Sequence, residues 1–110
     1  MRKYIVVFIT VSGKKESKKI TEYLIDNKLA ACVNEISNIS STYWWKGKIE
    51  KSKELLLVIK TKKSILNRLI KEVKKIHSYS VPEIIALPII GGNKDYLNWI
   101  NSSIYRGKYE

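Results

Sequence analysis

Apolar runs alternate along the chain with charged stretches that carry apolar residues at helical spacing. Ile5-Val-Val-Phe-Ile-Thr10 is almost wholly apolar. The charged segment after it holds a weak stripe of Ile20, Tyr23 and Leu24, with Leu29 beyond, and Ala30-Ala-Cys-Val33 follows. The theme then repeats. Leu56-Leu-Val-Ile-Lys-Thr61 precedes a second charged stretch, in which Leu66, Leu69, Val73 and Ile76 form one apolar stripe with Lys71, Glu72, Lys74 and Lys75 mostly off it. Ile84-Ile-Ala-Leu87 closes that half. Each half reads strand, helix, strand.

Punctuation residues sharpen the boundaries. Gly13 with Glu16 three residues on, or Ser12 itself, is placed to cap the first helix. Lys46-Gly47 sits between two extended stretches as a two-residue hairpin turn. Pro88 lacks a ladder donor and marks the last strand as an edge or a bulge. Gly91-Gly-Asn93 introduces a short third helix, with Asn93 as its cap and Leu97, Ile100 and Ile104 on one face. The resulting order is β-α-β-β-α-β plus a C-terminal helix, the split β-α-β arrangement of a ferredoxin-like α+β fold in one domain over residues 1–110. Right-handed crossovers place both long helices on one face of a four-stranded antiparallel sheet. The strands are apolar without alternation, so half of their side chains point away from those helices. A short third helix is too small to cover them, and an oligomer is expected.

The hairpin stretch Ser41-Thr-Tyr-Trp-Trp-Lys-Gly-Lys-Ile-Glu50 raises the same issue. Trp44 shares a strand face with Thr42, and Trp45 shares the opposite face with Tyr43. Enclosing one Trp removes roughly 200 Å² from water, worth up to about 5 kcal/mol. One face is expected to lie on the chain itself and the other to meet a neighbour, which makes Trp44 and Trp45 assembly residues.

Charge changes this picture little. Lys and Arg number 21 against 10 acidic residues, a formal charge of +11, but the lysines are spread along the chain with no Arg-rich tract. A solvated basic surface is the expectation, not a nucleic-acid site. The aromatic tract of an RNA-recognition sheet is missing as well, with Phe8 the one Phe. No apolar run approaches the ~20 residues needed to span a bilayer. The basic, apolar start reads as a first strand and not as a signal peptide. One cysteine allows no intrachain disulfide, so a cytoplasmic location is expected.

Candidate chemistry is sparse. His77-Ser-Tyr-Ser-Val-Pro-Glu83 holds the one His, at the end of the second helical stripe. It reads either as a partner of the helix dipole or as a metal ligand or acid-base group. Cys32, among Ala and Val, reads either as a small buried hydrophobe or as a soft ligand for Cu(I) or a similar metal. Together they cannot close a four-ligand site in one chain, although a symmetric oligomer repeats each ligand. No Gly-rich phosphate loop, nucleophile elbow or paired-carboxylate motif is present, and no enzymatic activity is expected.

Five stretches in order carry a family resemblance: Leu29-Ala-Ala-Cys-Val-Asn34, Tyr43-Trp-Trp-Lys-Gly-Lys-Ile49, Ile59-Lys-Thr61, His77-Ser-Tyr-Ser-Val-Pro-Glu-Ile-Ile85, and Gly92-Asn-Lys-Asp-Tyr-Leu97 with Trp99. Over about residues 5–104 the chain resembles the CutA1 family of divalent-cation tolerance proteins. The resemblance implies a ferredoxin-like fold in a homotrimer built like the PII signalling proteins. It also implies a role in tolerance to, and binding of, divalent metals, copper above all; with fewer ligands than some members, this chain is expected to hold copper or another divalent cation weakly. His77 and Cys32 match the family's candidate metal ligands. Some bacterial members carry further ligands where this chain has Ile9 and Ile76, and Ser78 stands in place of the usual Pro. Residue type and resemblance together nominate Tyr43, Trp45, Lys60, Tyr79, Glu83, Tyr96 and Trp99 as the lining of a cleft between subunits that takes a small molecule.

Overall fold

The computed structural model describes residues 3–104. β1 (Tyr4–Val11) is the strand on which the sheet is assembled. It pairs antiparallel with β3 (Lys48–Lys62) on one side and β4 (Ile84–Pro88) on the other, and β2 (Cys32–Trp45) pairs with β3, giving the order β2-β3-β1-β4. This is the ferredoxin-like α+β topology. Pro88 ends β4 at an open edge, where its missing N–H breaks no ladder.

α1 (Lys14–Asp26) and α2 (Leu66–Ile76) pack on one sheet face, with a 3₁₀ turn over Lys63–Ile65 leading into α2. The core is the set the helical stripes and strands point at: Ile20 and Leu24 from α1, Leu69 and Val73 from α2, Ile5, Val7, Ile9 and Val11 from β1, and Leu55, Leu57 and Ile59 from β3. Gly13 is the N-cap of α1 and has no side chain to offer. Glu16 instead reaches back past it, accepting from both the N–H and the hydroxyl of Ser12 at 3.0 Å. α3 (Lys94–Ser103) is capped as expected, Asn93 Oδ1 accepting from the Asp95 N–H at 3.0 Å. It buries Ile100, and Ile104 just beyond it is buried too; on this helix Asn101 Oδ1 accepts from Lys62 Nζ.

Two backbone features decide where the hairpin side chains go. Lys46 (φ 51°) and Gly47 (φ 78°) both take the left-handed conformation, as a type I′ hairpin turn requires. Between Ile36 and Ile39 the register slips by one residue, a β-bulge containing Asn38 at φ 61°. The slip exchanges the faces of β2. Cys32, Asn34 and Ile36 lie opposite Lys60, Val58 and Leu56, whereas beyond the bulge Ile39, Ser41, Tyr43 and Trp45 lie opposite Glu54, Ser52, Glu50 and Lys48. All of these belong to the sheet face turned away from α1 and α2. Trp44, opposite Ile49, falls on the helix side.

That placement corrects one expectation. Neither hairpin face is settled on the chain's own domain, because the hairpin runs on past the helix layer and stretches the molecule to 43 × 26 × 23 Å. Trp44 keeps 71% of its surface exposed, and Trp45 and Tyr43 keep 41% and 42%. The rest of the open face is apolar too: Val6, Phe8, Leu56 and Val58 are half-buried, and Ile85 and Leu87 are exposed.

Candidate functional site

The loop after α2 is the structural knot of this end of the molecule. His77 is the C-cap of α2 and is buried. Its Nδ1 accepts from the Tyr79 N–H at 3.0 Å, so the ring proton sits on Nε2, which donates to the Thr10 carbonyl at 2.9 Å. Glu16 closes the knot. Its Oε2 accepts from the Ser78 N–H at 2.6 Å and lies 3.6 Å from Nδ1 of His77. Burial pushes the Glu16 carboxyl up, but the hydrogen bonds from Ser12 and Ser78 outweigh it and hold the group at about 2. His77 therefore bolts α2 to the end of β1. With one ring nitrogen accepting and the other protonated, no ring lone pair faces a cation while this arrangement stands.

The same loop forms one wall of an open cleft of about 650 Å³. Thr10 and Glu54 lie in it, the hairpin supplies Tyr43 and Trp45, and Tyr79 and Glu83 come from the loop. Trp44 reaches its rim. Glu54 is only 6% exposed, and the Tyr79 hydroxyl donates to its Oε2 at 2.7 Å. Burial, and then the bond to Glu54, push the Tyr79 phenol up, so it remains a donor across the accessible pH range.

The other nominated residues gather elsewhere. Cys32 and Lys60 are cross-strand partners at the far end of β2 and β3. Lys60 lies opposite Val6, four residues from Thr10 along β1, roughly 13 Å at the rise of a strand. Cys32 is half-buried and not enclosed, because β2 is an edge strand there. Its thiol donates to Asn34 Oδ1 at 3.8 Å, and Lys60 Nζ donates to the same oxygen. Burial, and then the neighbouring Cys32, raise the Tyr96 phenol. Tyr96 and Trp99 stack obliquely on α3 with ring centroids 5.4 Å apart.

The seven cleft candidates thus split in two: Tyr43, Trp45, Tyr79 and Glu83 come together, while Lys60, Tyr96 and Trp99 lie with Cys32 at the opposite end. Cys32 and His77 do not meet within one chain. Among the described residues no three His, Cys, Asp or Glu side chains converge as a metal site. A copper site built from Cys32 and His77 does not fit the single chain. Glu54 and Thr10 were not legible as site residues. Glu54 looks like one more charge at the end of an apolar strand, and only the pairing and the loop above it bury it.

Comparison with known proteins agrees with this architecture. The family model described as CutA1 divalent ion tolerance protein matches residues 5–103. The rice (Oryza sativa subsp. japonica) protein named CutA 1, chloroplastic, is 50% identical over 99 residues, which span 90% of this chain but 56% of the rice protein. The chain thus spans little more than half the length of that relative. The divalent-cation tolerance protein CutA of Thermus thermophilus is 42% identical over 98 residues, covering 89% of this chain and 95% of its own. A crystal structure of CutA1 from Oryza sativa superposes with a TM-score of 0.93 at 48% identity, covering 96% of both chains. The chain belongs to the CutA1 family of divalent ion tolerance proteins.

Proposed function

We propose that this chain acts as a non-enzymatic homotrimer in divalent-cation tolerance, with its binding sites completed between subunits. The observation that carries this reading is the separation of the two site clusters along an uncovered apolar sheet face. A symmetric contact between copies covers that face and brings the aromatic residues of α3 in one copy toward the hairpin cleft of the next. Trp44 and Trp45, on opposite faces of a projecting hairpin, are the natural reach of such a contact.

Copper is the finer reading of the cation. In this chain it rests on Cys32, half-buried at the proposed subunit junction, and less on His77, whose ring holds the α2 loop. Two measurements test the proposal together. Native mass should be three times that of the chain, and a monomer at micromolar concentration overturns the assembly. Titration with Cu²⁺ and Zn²⁺ should show weak binding that Cys32→Ala reduces and His77→Ala leaves in place. Loss of Cu²⁺ binding in a folded His77→Ala trimer overturns that assignment of roles.

The second reading is a scaffold or signalling trimer that takes a small molecule in the cleft, by analogy with PII-like architecture. The enclosed Glu54–Tyr79 pair beside open aromatic faces favours it. We infer no nucleic-acid partner, since the basic residues form no continuous tract, and absence of RNA or DNA binding near 0.1 M salt is the expected result. Among the described residues no helix is long and apolar enough to cross a membrane. A cytoplasmic location rests on the single cysteine; the rice relative is named chloroplastic.

A further inference from the structure

The hairpin and the loop after α2 lie far apart in the sequence, yet the same turn fastens both. That turn is the first of α1. Ser17 is buried and donates its hydroxyl to Glu35 Oε1. Lys14 Nζ donates to Glu35 Oε2 and, at 3.1 Å, to Ser37 Oγ. Glu35 and Ser37 stand at the base of the hairpin, on either side of Ile36, where the register slips. Asn38, next along, takes the left-handed conformation at φ 61°. From the same turn Glu16 accepts from the Ser78 N–H of the loop. The bond from Lys14, and then that from Ser17, hold the Glu35 carboxyl below the usual carboxylate range. Glu35 lies opposite the buried Leu57, on the helix side of the sheet. These bonds form within one chain, on the face that an assembly through the open sheet leaves uncovered.

We propose that the first turn of α1 is a brace that sets the direction of the hairpin arm, with Ser17, Glu35 and Asn38 as positioning residues for its aromatic tip. Beyond the bulge the arm is a two-stranded ribbon that outruns the helix layer, and such ribbons twist readily. From Ile39 to Trp45 it extends about 20 Å at the rise of a strand, so a swing of about 10° at its base moves the tip by roughly 3–4 Å. A displacement of that size separates close-packed side chains. The bulge supplies the bend, and the bonds from Lys14 and Ser17 keep it from flexing. None of the three positioning residues lines the cleft. They act through where Tyr43, Trp44 and Trp45 are carried.

The consequence for assembly rests on the trimer reading, while the brace itself does not, so two measurements on the full chain separate them. Amide hydrogen exchange read by peptide reports the arm, and native mass on dilution reports the assembly. Ser17→Ala removes one bond and keeps a good helix former. Asn38→Val puts a β-branched side chain where the left-handed region excludes it. Each should speed exchange over residues 39–54 several-fold and raise the monomer fraction on dilution, with β1 and α2 exchanging as before. Asn38→Gly, which takes the left-handed conformation freely, should keep both readouts close to those of the unsubstituted chain. Lys18→Gln, exposed on α1, should change neither. Unchanged exchange over residues 39–54 in both Ser17→Ala and Asn38→Val overturns the brace. So does faster exchange spread equally over β1 and α2, which marks a general loss of stability, or an Asn38→Gly variant that behaves like Asn38→Val. A monomeric unsubstituted chain overturns the trimer, and exchange over the arm still decides for or against the brace.

Discussion

β3 presents two faces with opposite fates. Leu55, Leu57, Ile59 and Thr61 point toward α1 and α2 and are buried, whereas Leu56, Val58 and Lys60 alternate with them and stay half-open. The residues are equally apolar for most of that length. Among the described residues two helices cover one face and none covers the other, so the first face is completed by folding and the second is left open. The hairpin end extends this contrast, since it carries the same alternation out to where no helix follows.

The largest break in that contrast should come from the closed face. Leu57→Ala, at a fully buried position opposite Ile9, should cost about 2–5 kcal/mol in urea unfolding compared with the unsubstituted chain at the same protein concentration. Truncating the open face should act differently. Trp44→Ala combined with Trp45→Ala should shift native mass toward the monomer and weaken the dependence of the melting temperature on protein concentration, with up to a few kcal/mol per subunit contact at stake. A trimer that survives the double change removes the hairpin from the assembly.

The loop knot gives smaller effects. Glu16 has its carboxyl depressed, so its contribution is complete above its ordinary pKa of 4.5 and is lost as pH falls through about 2. After discounting solvent screening this amounts to about 1–2 kcal/mol. Glu16→Gln should lower stability at neutral pH by that amount and flatten the acid limb between those values, read by unfolding at a series of pH values. An unchanged acid limb means the carboxylate is not the clamp. The smallest effect belongs to the turn. Gly47→Ala places a Cβ at φ 78°, where nothing crowds it but the backbone is strained, and should cost about 1 kcal/mol. Lys46→Asn should return a few tenths, because Asn tolerates the left-handed region better than Lys.

Much of the fold was legible in advance because its signals are local. The α2 stripe, the Lys46-Gly47 turn, the Asn93 cap and the edge position of Pro88 each follow from a few neighbouring residues and the period of a helix or strand. The site was legible only in part. Tyr43, Trp45, Tyr79 and Glu83 could be nominated by type, but grouping them with Lys60, Tyr96 and Trp99 depended on distances that no local pattern carries. His77 was recognisable as a helix terminus. That its two ring nitrogens are taken by Thr10 and Tyr79 depends on a contact 67 positions away in the chain.

The sequence by itself determined the element order, the apolar faces of the helices and the excess of apolar strand surface over helix to cover it. Periodicity and the count of covering elements suffice for those. Only the tertiary structure decided which side chains share a face of the hairpin, because a single bulge in β2 exchanges every residue beyond it. It alone enclosed Glu54 beneath Tyr79 and set Cys32 and His77 apart. Those outcomes come from pairing register and from how far the hairpin outruns the helices, long-range quantities that a run of neighbouring residues does not encode.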